Sequence, residues 1–234
     1  LPKTADPRPL GRAAGQLLMA LGKVSPEKLQ GEPCHPYYDI YKAHSVCTRE
    51  KFYEYIQGPE LDCCRDAINT LSAEFSELDR FIEEYLPKSL PQQITHGDLH
   101  YDNVLCDEAT GEVTGLLDFE FASMDWRAME LAVCLSKYVG EPEPFPLVEA
   151  FIDGFAEYGR LTRDECDGLA DMINLRVMSN CVYFVGRAIA GEDSIESLTS
   201  RADMYAQRVV WVRQNKERIV ECVKARMTAV DPSF

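Results

Sequence analysis

The chain has 234 residues, 46% of them hydrophobic, enough for a sizeable core in one large or two small domains. Its 39 acidic and 24 basic residues leave a formal charge of −15, a field that repels nucleic acid and anionic lipid. No stretch stays apolar for the roughly 18 residues a membrane helix needs, and the N-terminal LPKTADPRPLG has neither the apolar run nor the cleavage site of a signal peptide.

In chain order, residues 1–9 are Pro-rich and read as a hinge or linker. Leu10, Ala13, Ala14, Leu17, Leu18 and Leu21 then recur at helical spacing as far as Val24. Ser25–His44, rich in Pro, Gly and Tyr, reads as a surface excursion; its His35 and His44 read as ordinary surface residues. A short helix over Cys47–Ile56 has Thr48 as its N-cap. A long amphipathic helix over Leu61–Leu86 is stopped by Pro87 and Pro91. The period changes over Gln92–Phe121, where short apolar runs (Val104–Leu105, Val113, Leu116–Leu117) flank the turn chemistry of Asp107–Gly111 and read as two short strands. From Asp125 onward the pattern is helical again, over 125–138, 146–158, 162–190 and 195–226, and Thr162 with Glu165 forms a capping box. The fold class is therefore mainly α with a small β insertion. The nine Cys have no C-x-x-C spacing and lie mostly in apolar surroundings, which favours reduced structural thiols over a metal site.

The β insertion carries the chemistry. THGDLHYDNVL, residues 95–105, places His96, Asp98, His100 and Asn103 in a chain that has only four His. The phosphotransfer loop H-R-D-x-x-x-x-N has the same offset from Asp to Asn, and a metal-holding Asp follows it on a neighbouring strand. Here Asp118 follows Leu116–Leu117 in GLLDFEF, so residues 115–121 read as the metal strand. Asp98 suits a base that orients an acceptor hydroxyl and takes its proton. Asn103 and Asp118 offer Mg²⁺ hard oxygen ligands from two directions. His96 reads as a brace of the loop through a backbone hydrogen bond; His100 either braces it, touches phosphate, or is a solvated loop residue. Asp98, Asn103 and Asp118 as mere turn and cap residues is the competing interpretation.

HGDLHYDN and GLLDFEFA resemble the H-G-D-L-H-x-x-N loop and the I-D-F-E-x-A strand of the aminoglycoside phosphotransferase/choline kinase superfamily, which has a protein-kinase-like fold. MDWRAMELA is similar to that family's D-x-x-x-D-L-A segment, with Glu130 where Asp is usual. Within it, the chain looks most like type II homoserine kinases. The resemblance implies that residues 10–234 form the helical C-terminal lobe of a small-molecule kinase using ATP and Mg²⁺, with His100 and Asn103 toward the nucleotide. No G-x-G and no strand ending in a Lys followed by an acidic helix occurs, so the nucleotide-covering N-terminal lobe is expected in cis or from another chain. The implied acceptor is a small hydroxylated amine or amino acid, homoserine-like by preference, or else choline, ethanolamine or an aminoglycoside. The implied compartment is the cytoplasm or an organelle stroma.

Glu120, two residues after Asp118, is expected on the same side of the strand and makes the site acidic together with Asp125. Trp126 either packs over the acceptor's amine or fills the core. Tyr183 and Arg187 either line the cleft, with Arg187 for a carboxylate, or Arg187 forms a surface pair with Glu192. A non-catalytic binding or assembly subunit with a kinase-lobe fold is the alternative; a hydrolase is disfavoured, since there is no G-x-S-x-G.

Overall fold

The structure is a computed structural model that describes residues 5–28, 34–86 and 90–230, with side chains as far as residue 227. The expected stop at Pro87, residues 1–4 of the hinge and residues 29–33 of the excursion lie outside the described residues. The helices are α1 (Arg8–Leu21), α2 (Arg49–Ile56), α3 (Arg65–Tyr85), α4 (Met129–Ser136), α5 (Pro144–Ala156), α6 (Arg163–Ala190), α7 (Glu196–Gln214) and α8 (Lys216–Val230). Four short strands, β1 (Gln92–Thr95), β2 (Val104–Cys106), β3 (Val113–Leu116) and β4 (Ser123–Trp126), lie between α3 and α4. No described helix is long and apolar enough to cross a membrane.

The chain forms two compact units. The first comprises Leu1–Cys34, Leu90–Ile173 and Asn215–Phe234; the second comprises His35–Ser89 and Asn174–Gln214. In the first, α1 lies directly on α5. A Cβ at Gly11 would collide with the Phe151 carbonyl oxygen, and one at Gly154 with that of Arg8, so the two backbones meet at a distance only Gly permits. Leu10 and Leu18 of α1 and Phe151 and Phe155 of α5 are buried. Arg8 and Pro9, expected in the hinge, are already helical.

The strands form two antiparallel pairs. β2 pairs with β3 through Val104–Leu116 and Leu105–Gly115, as the turn at Asp107–Gly111 leads one to expect. The other pair was not anticipated: β1 runs against β4, with Gln92 opposite Trp126 and Thr95 opposite Ser123. The helix expected from Asp125 therefore begins only at Met129. These strands are four residues each and lie some thirty residues apart in sequence, so neither shows its period alone.

Thr48 caps α2, its hydroxyl accepting from Lys51 N at 3.4 Å. The capping box forms in both directions: Thr162 N–H donates to Glu165 at 2.6 Å, and Glu165 N–H to the Thr162 hydroxyl at 3.3 Å. The single helix expected over 195–226 is instead α7 and α8, broken at Asn215. In the second unit, Tyr41 of the 25–44 segment packs with Phe52 and Tyr53 of α2 and Phe75 of α3, and the Phe52 and Phe75 rings lie 4.4 Å apart. Buried Glu74 on α3 accepts from Arg213 Nε of α7 at 2.9 Å and from Asn174 at 2.9 Å.

Candidate active site

β1 delivers the chain into the loop at His96, which is fully buried. Its backbone N–H donates to Glu130 Oε2 at 2.7 Å, and its Nε2 lies 2.8 Å from the Leu117 carbonyl. Nδ1 accepts from Asp98 N at 3.3 Å. These partners assign the proton to Nε2 of a neutral ring, and burial, the main cause, holds its pKa below the ordinary value. The ring packs on Phe119 at 4.4 Å. His96 is thus the brace expected of it, tying the loop to the segment that carries Asp118. Gly97 follows at φ 79°, where a Cβ would also strike the Phe121 carbonyl. The motif needs Gly here both for the left-handed backbone and for space.

Asp98 is the focus of charge. Its Oδ1 lies 3.6 Å from Lys137 Nζ, and its Oδ2 lies 3.5 Å from His100 Nε2 and 3.4 Å from Asn103 Nδ2. The side chain keeps 18% of its surface exposed, enough for a small hydroxyl to reach it. His100 is not a solvated loop residue: its ring is 12% exposed, and Nδ1 accepts from Asp102 N at 3.3 Å, which leaves Nε2–H toward Asp98.

Asn103 Nδ2 also donates to the Asp98 carbonyl at 2.9 Å, so its amide oxygen is the end left to serve as a ligand. Leu117 N–H donates to the Asn103 carbonyl at 3.0 Å, seating Asn103 beside the residue that precedes Asp118. Asp118 has φ 60° and ψ 60°, the only non-Gly residue with positive φ among those described. A left-handed Asp costs of order 1 kcal/mol and concentrates at functional sites. It is exposed, and its side chain makes no capping bond to the turn it precedes. Among the described residues no three His, Cys, Asp or Glu converge as a metal cage. One carboxylate and one amide oxygen fit instead a Mg²⁺ whose other ligands are phosphate oxygens and water.

The left-handed residue corrects one expectation. β3 ends at Leu116, and Phe119–Phe121 form a short 3-10 helix, so Asp118 and Glu120 do not share a strand face. Glu120 is exposed on that turn, and its carbonyl accepts from Cys34 Sγ at 3.3 Å. Asp125 and Trp126 are both fully buried on β4, and Asp125 Oδ1 accepts from Trp126 N at 2.6 Å. A side chain with no exposed surface cannot cover an amine, so Trp126 is a core aromatic and Asp125 an internal brace. Tyr183 and Arg187 belong to the second unit, where Arg187 pairs with Glu192 at 3.4 Å and Asp193 at 3.6 Å.

Glu130 of the MDWRAMELA segment and Lys137, which lies outside every motif, also reach the loop. Glu130 is fully buried, braces His96 through Oε2, and leaves Oε1 without a hydrogen-bond partner; burial pushes its pKa up to about 7. Lys137 stands at the end of the same helix. Glu130, Cys134 and Lys137 follow at i, i+4 and i+7, one stripe of titratable groups along an α4 whose remaining residues are apolar apart from Ser136. That stripe was the available signal.

A cavity of about 490 Å³ in the second unit, lined by Tyr38, Tyr41, Arg49, Asp79 and Glu83 among others, contains none of these groups. Its Arg49 is already paired with Asp79. The loop, with convergent polar groups and a strained Asp, is the better candidate for chemistry.

Residues 3–168 match the model of the phosphotransferase enzyme family (APH). The homoserine kinase of Beijerinckia indica is 36% identical over 118 residues, 47% of this chain and 36% of that protein. That of Rhizobium meliloti is 36% identical over 92 residues, 38% of this chain and 28% of that protein. The matched stretch spans about a third of the length of these curated relatives. The microcompartment-associated aminopropanol kinase superposes with a TM-score of 0.62 at 16% identity, over 92% of this chain and 63% of that one. A choline/ethanolamine kinase family protein from Mesorhizobium loti gives 0.56 at 14% identity, over 95% and 68%. These likenesses establish the kinase-like fold; with the family model matched over residues 3–168 of 234, the chain belongs to the phosphotransferase enzyme family.

Proposed function

We propose that the protein containing this chain transfers the γ-phosphoryl group of ATP to the hydroxyl of a small amine-bearing metabolite, homoserine-like by preference. The observation that carries the proposal is the junction of loop and turn. Leu117 N–H is bonded to Asn103 O, Asn103 Nδ2 lies toward Asp98, and Asp118 is held in a left-handed conformation with its carboxylate exposed.

Asp98 accepts a hydrogen bond from the acceptor hydroxyl and takes its proton as the O–P bond forms and ADP departs. Asn103 and Asp118 are the residues that would hold Mg²⁺, which supplies charge neutralisation to the phosphates when bound. His96, neutral and buried, and Glu130 keep the loop in register with the turn. Exposed Glu120 offers a carboxylate for the acceptor's amine. His100 flanks the base, and we assign it to a phosphate oxygen of the nucleotide. The homoserine kinases similar over part of the chain support that acceptor, and choline, ethanolamine or an aminoglycoside remain the other members of the panel. The rest of the nucleotide cradle is assigned to an N-terminal lobe, in cis or from another chain, and the setting is assigned to the cytoplasm or an organelle stroma.

The test is Asp98→Asn in the complete protein, assayed for ADP release over homoserine, choline, ethanolamine and an aminoglycoside. Loss of a positioned base lowers kcat by about 10² or more with little change in ATP affinity. Turnover within threefold of wild type would sink the assignment of Asp98 as the base, and a complete protein that releases no ADP over the whole panel would favour a non-catalytic subunit that keeps the fold.

A further inference from the structure

The segments 95–105 and 115–121 contain four Asp and Glu residues that bear on the site, Asp98, Asp102, Asp118 and Glu120, and neither Lys nor Arg. A triphosphate brought to these carboxylates meets a strongly negative surround in a chain already at −15. Bound Mg²⁺ offsets only part of that charge, and the motif itself supplies no permanent cation.

The tertiary structure supplies one from outside the motif. Lys137 caps the C-terminal end of α4, a helix whose eight residues are all buried, so its stem is anchored. Its side chain is 24% exposed and places Nζ 3.6 Å from Asp98 Oδ1, the oxygen opposite the one flanked by His100 and Asn103. An ammonium carries three N–H donors, so it can hold Asp98 and contact a phosphoryl oxygen at the same time.

We propose that Lys137 is a catalytic cation of this site, binding the γ-phosphoryl group of a nucleoside triphosphate while orienting Asp98; this rests on the kinase reading above. In the transfer, the bond between the γ-phosphorus and the β,γ-bridging oxygen breaks and its electron pair leaves with the nucleoside diphosphate. The acceptor oxygen bonds to phosphorus, and its proton passes to Asp98. Lys137 stays protonated throughout. Its positive charge lies beside the equatorial oxygens, where negative charge spreads in the transition state.

The experiment uses the complete protein and the variants Lys137→Met, Lys137→Arg and Asp98→Asn. Folding is checked by circular dichroism, and Mg·ATP and Mg·ADP affinities are measured by calorimetry. A γ-phosphoryl contact predicts that Lys137→Met weakens Mg·ATP about tenfold, leaves Mg·ADP within twofold, and lowers kcat by about 10². Lys137→Arg, which keeps the charge, recovers part of both effects. A merely structural ion pair would not move the ATP/ADP ratio. Wild-type nucleotide affinities and turnover in Lys137→Met, alongside an inactive Asp98→Asn, overturn this inference and leave the kinase reading standing. A wild-type protein that binds neither nucleotide, or an Asp98→Asn variant of full activity, overturns both.

Discussion

Replacing Glu130 by Gln separates the brace of the catalytic loop from the charge it carries. Glu130 is fully buried on α4, accepts the His96 N–H at 2.7 Å through Oε2, and has Oε1 unsatisfied. Burial disfavours the carboxylate more than the single hydrogen bond favours it, and its pKa rises from the ordinary 4.5 to about 7. A raised pKa means that the folded state holds the proton longer than the unfolded chain does. The group therefore imposes no penalty below about pH 4.5, where both states are protonated. Stability is lost as pH rises between the two values, and the loss is complete just above pH 7. At about 1.4 kcal/mol per pH unit the loss amounts to about 3 kcal/mol. Glu130→Gln keeps a carbonyl oxygen for His96 N–H but cannot ionise, so it lacks this slope. The assay is urea unfolding followed by circular dichroism at intervals from pH 4.5 to 8.5, for wild type and variant. The difference between the two curves cancels every other titrating group. That difference should move in the variant's favour by about 3 kcal/mol between the ends of the range. A flat difference would show that Glu130 ionises in the folded state as it does in water, its burial compensated by another group.

Gly97→Ala places a Cβ against the Phe121 carbonyl at a backbone φ of 79°, and should cost about 2 kcal/mol or more in denaturant unfolding, with turnover lost. Ala tolerated at full activity would mean that the loop is not held against the turn as described. Asp118→Gly relieves the left-handed strain while removing the carboxylate. Stability should hold or rise by up to about 1 kcal/mol while Mg²⁺-dependent nucleotide binding by the complete protein is lost. Unchanged Mg·ATP affinity by calorimetry would make Asp118 a structural turn residue.

How much could be read along the chain depended on how local each feature is. The HGDLHYDN loop, the LLDFE turn, the Thr48 cap, the Thr162–Glu165 box and the β2–β3 hairpin each lie within about fifteen residues. Their backbone needs show in the residue types themselves, because a cap, a tight turn or a left-handed position accepts few side chains. The β1–β4 pairing joins strands about thirty residues apart and too short to show a period. Helical propensity pointed the wrong way from Asp125 until Met129, where tertiary pairing overrode it. Burial likewise separated Asp125 and Trp126 from Glu120, three residues equally plausible on paper. Glu130 and Lys137 reach the loop only because α4 folds one stripe of its surface back onto His96 and Asp98. Residue types and spacing carry the chemistry that neighbours in sequence perform together. Which distant cation meets the base, and which acid is buried beneath it, follows from packing, because a few ångströms of helix placement decide the electrostatics.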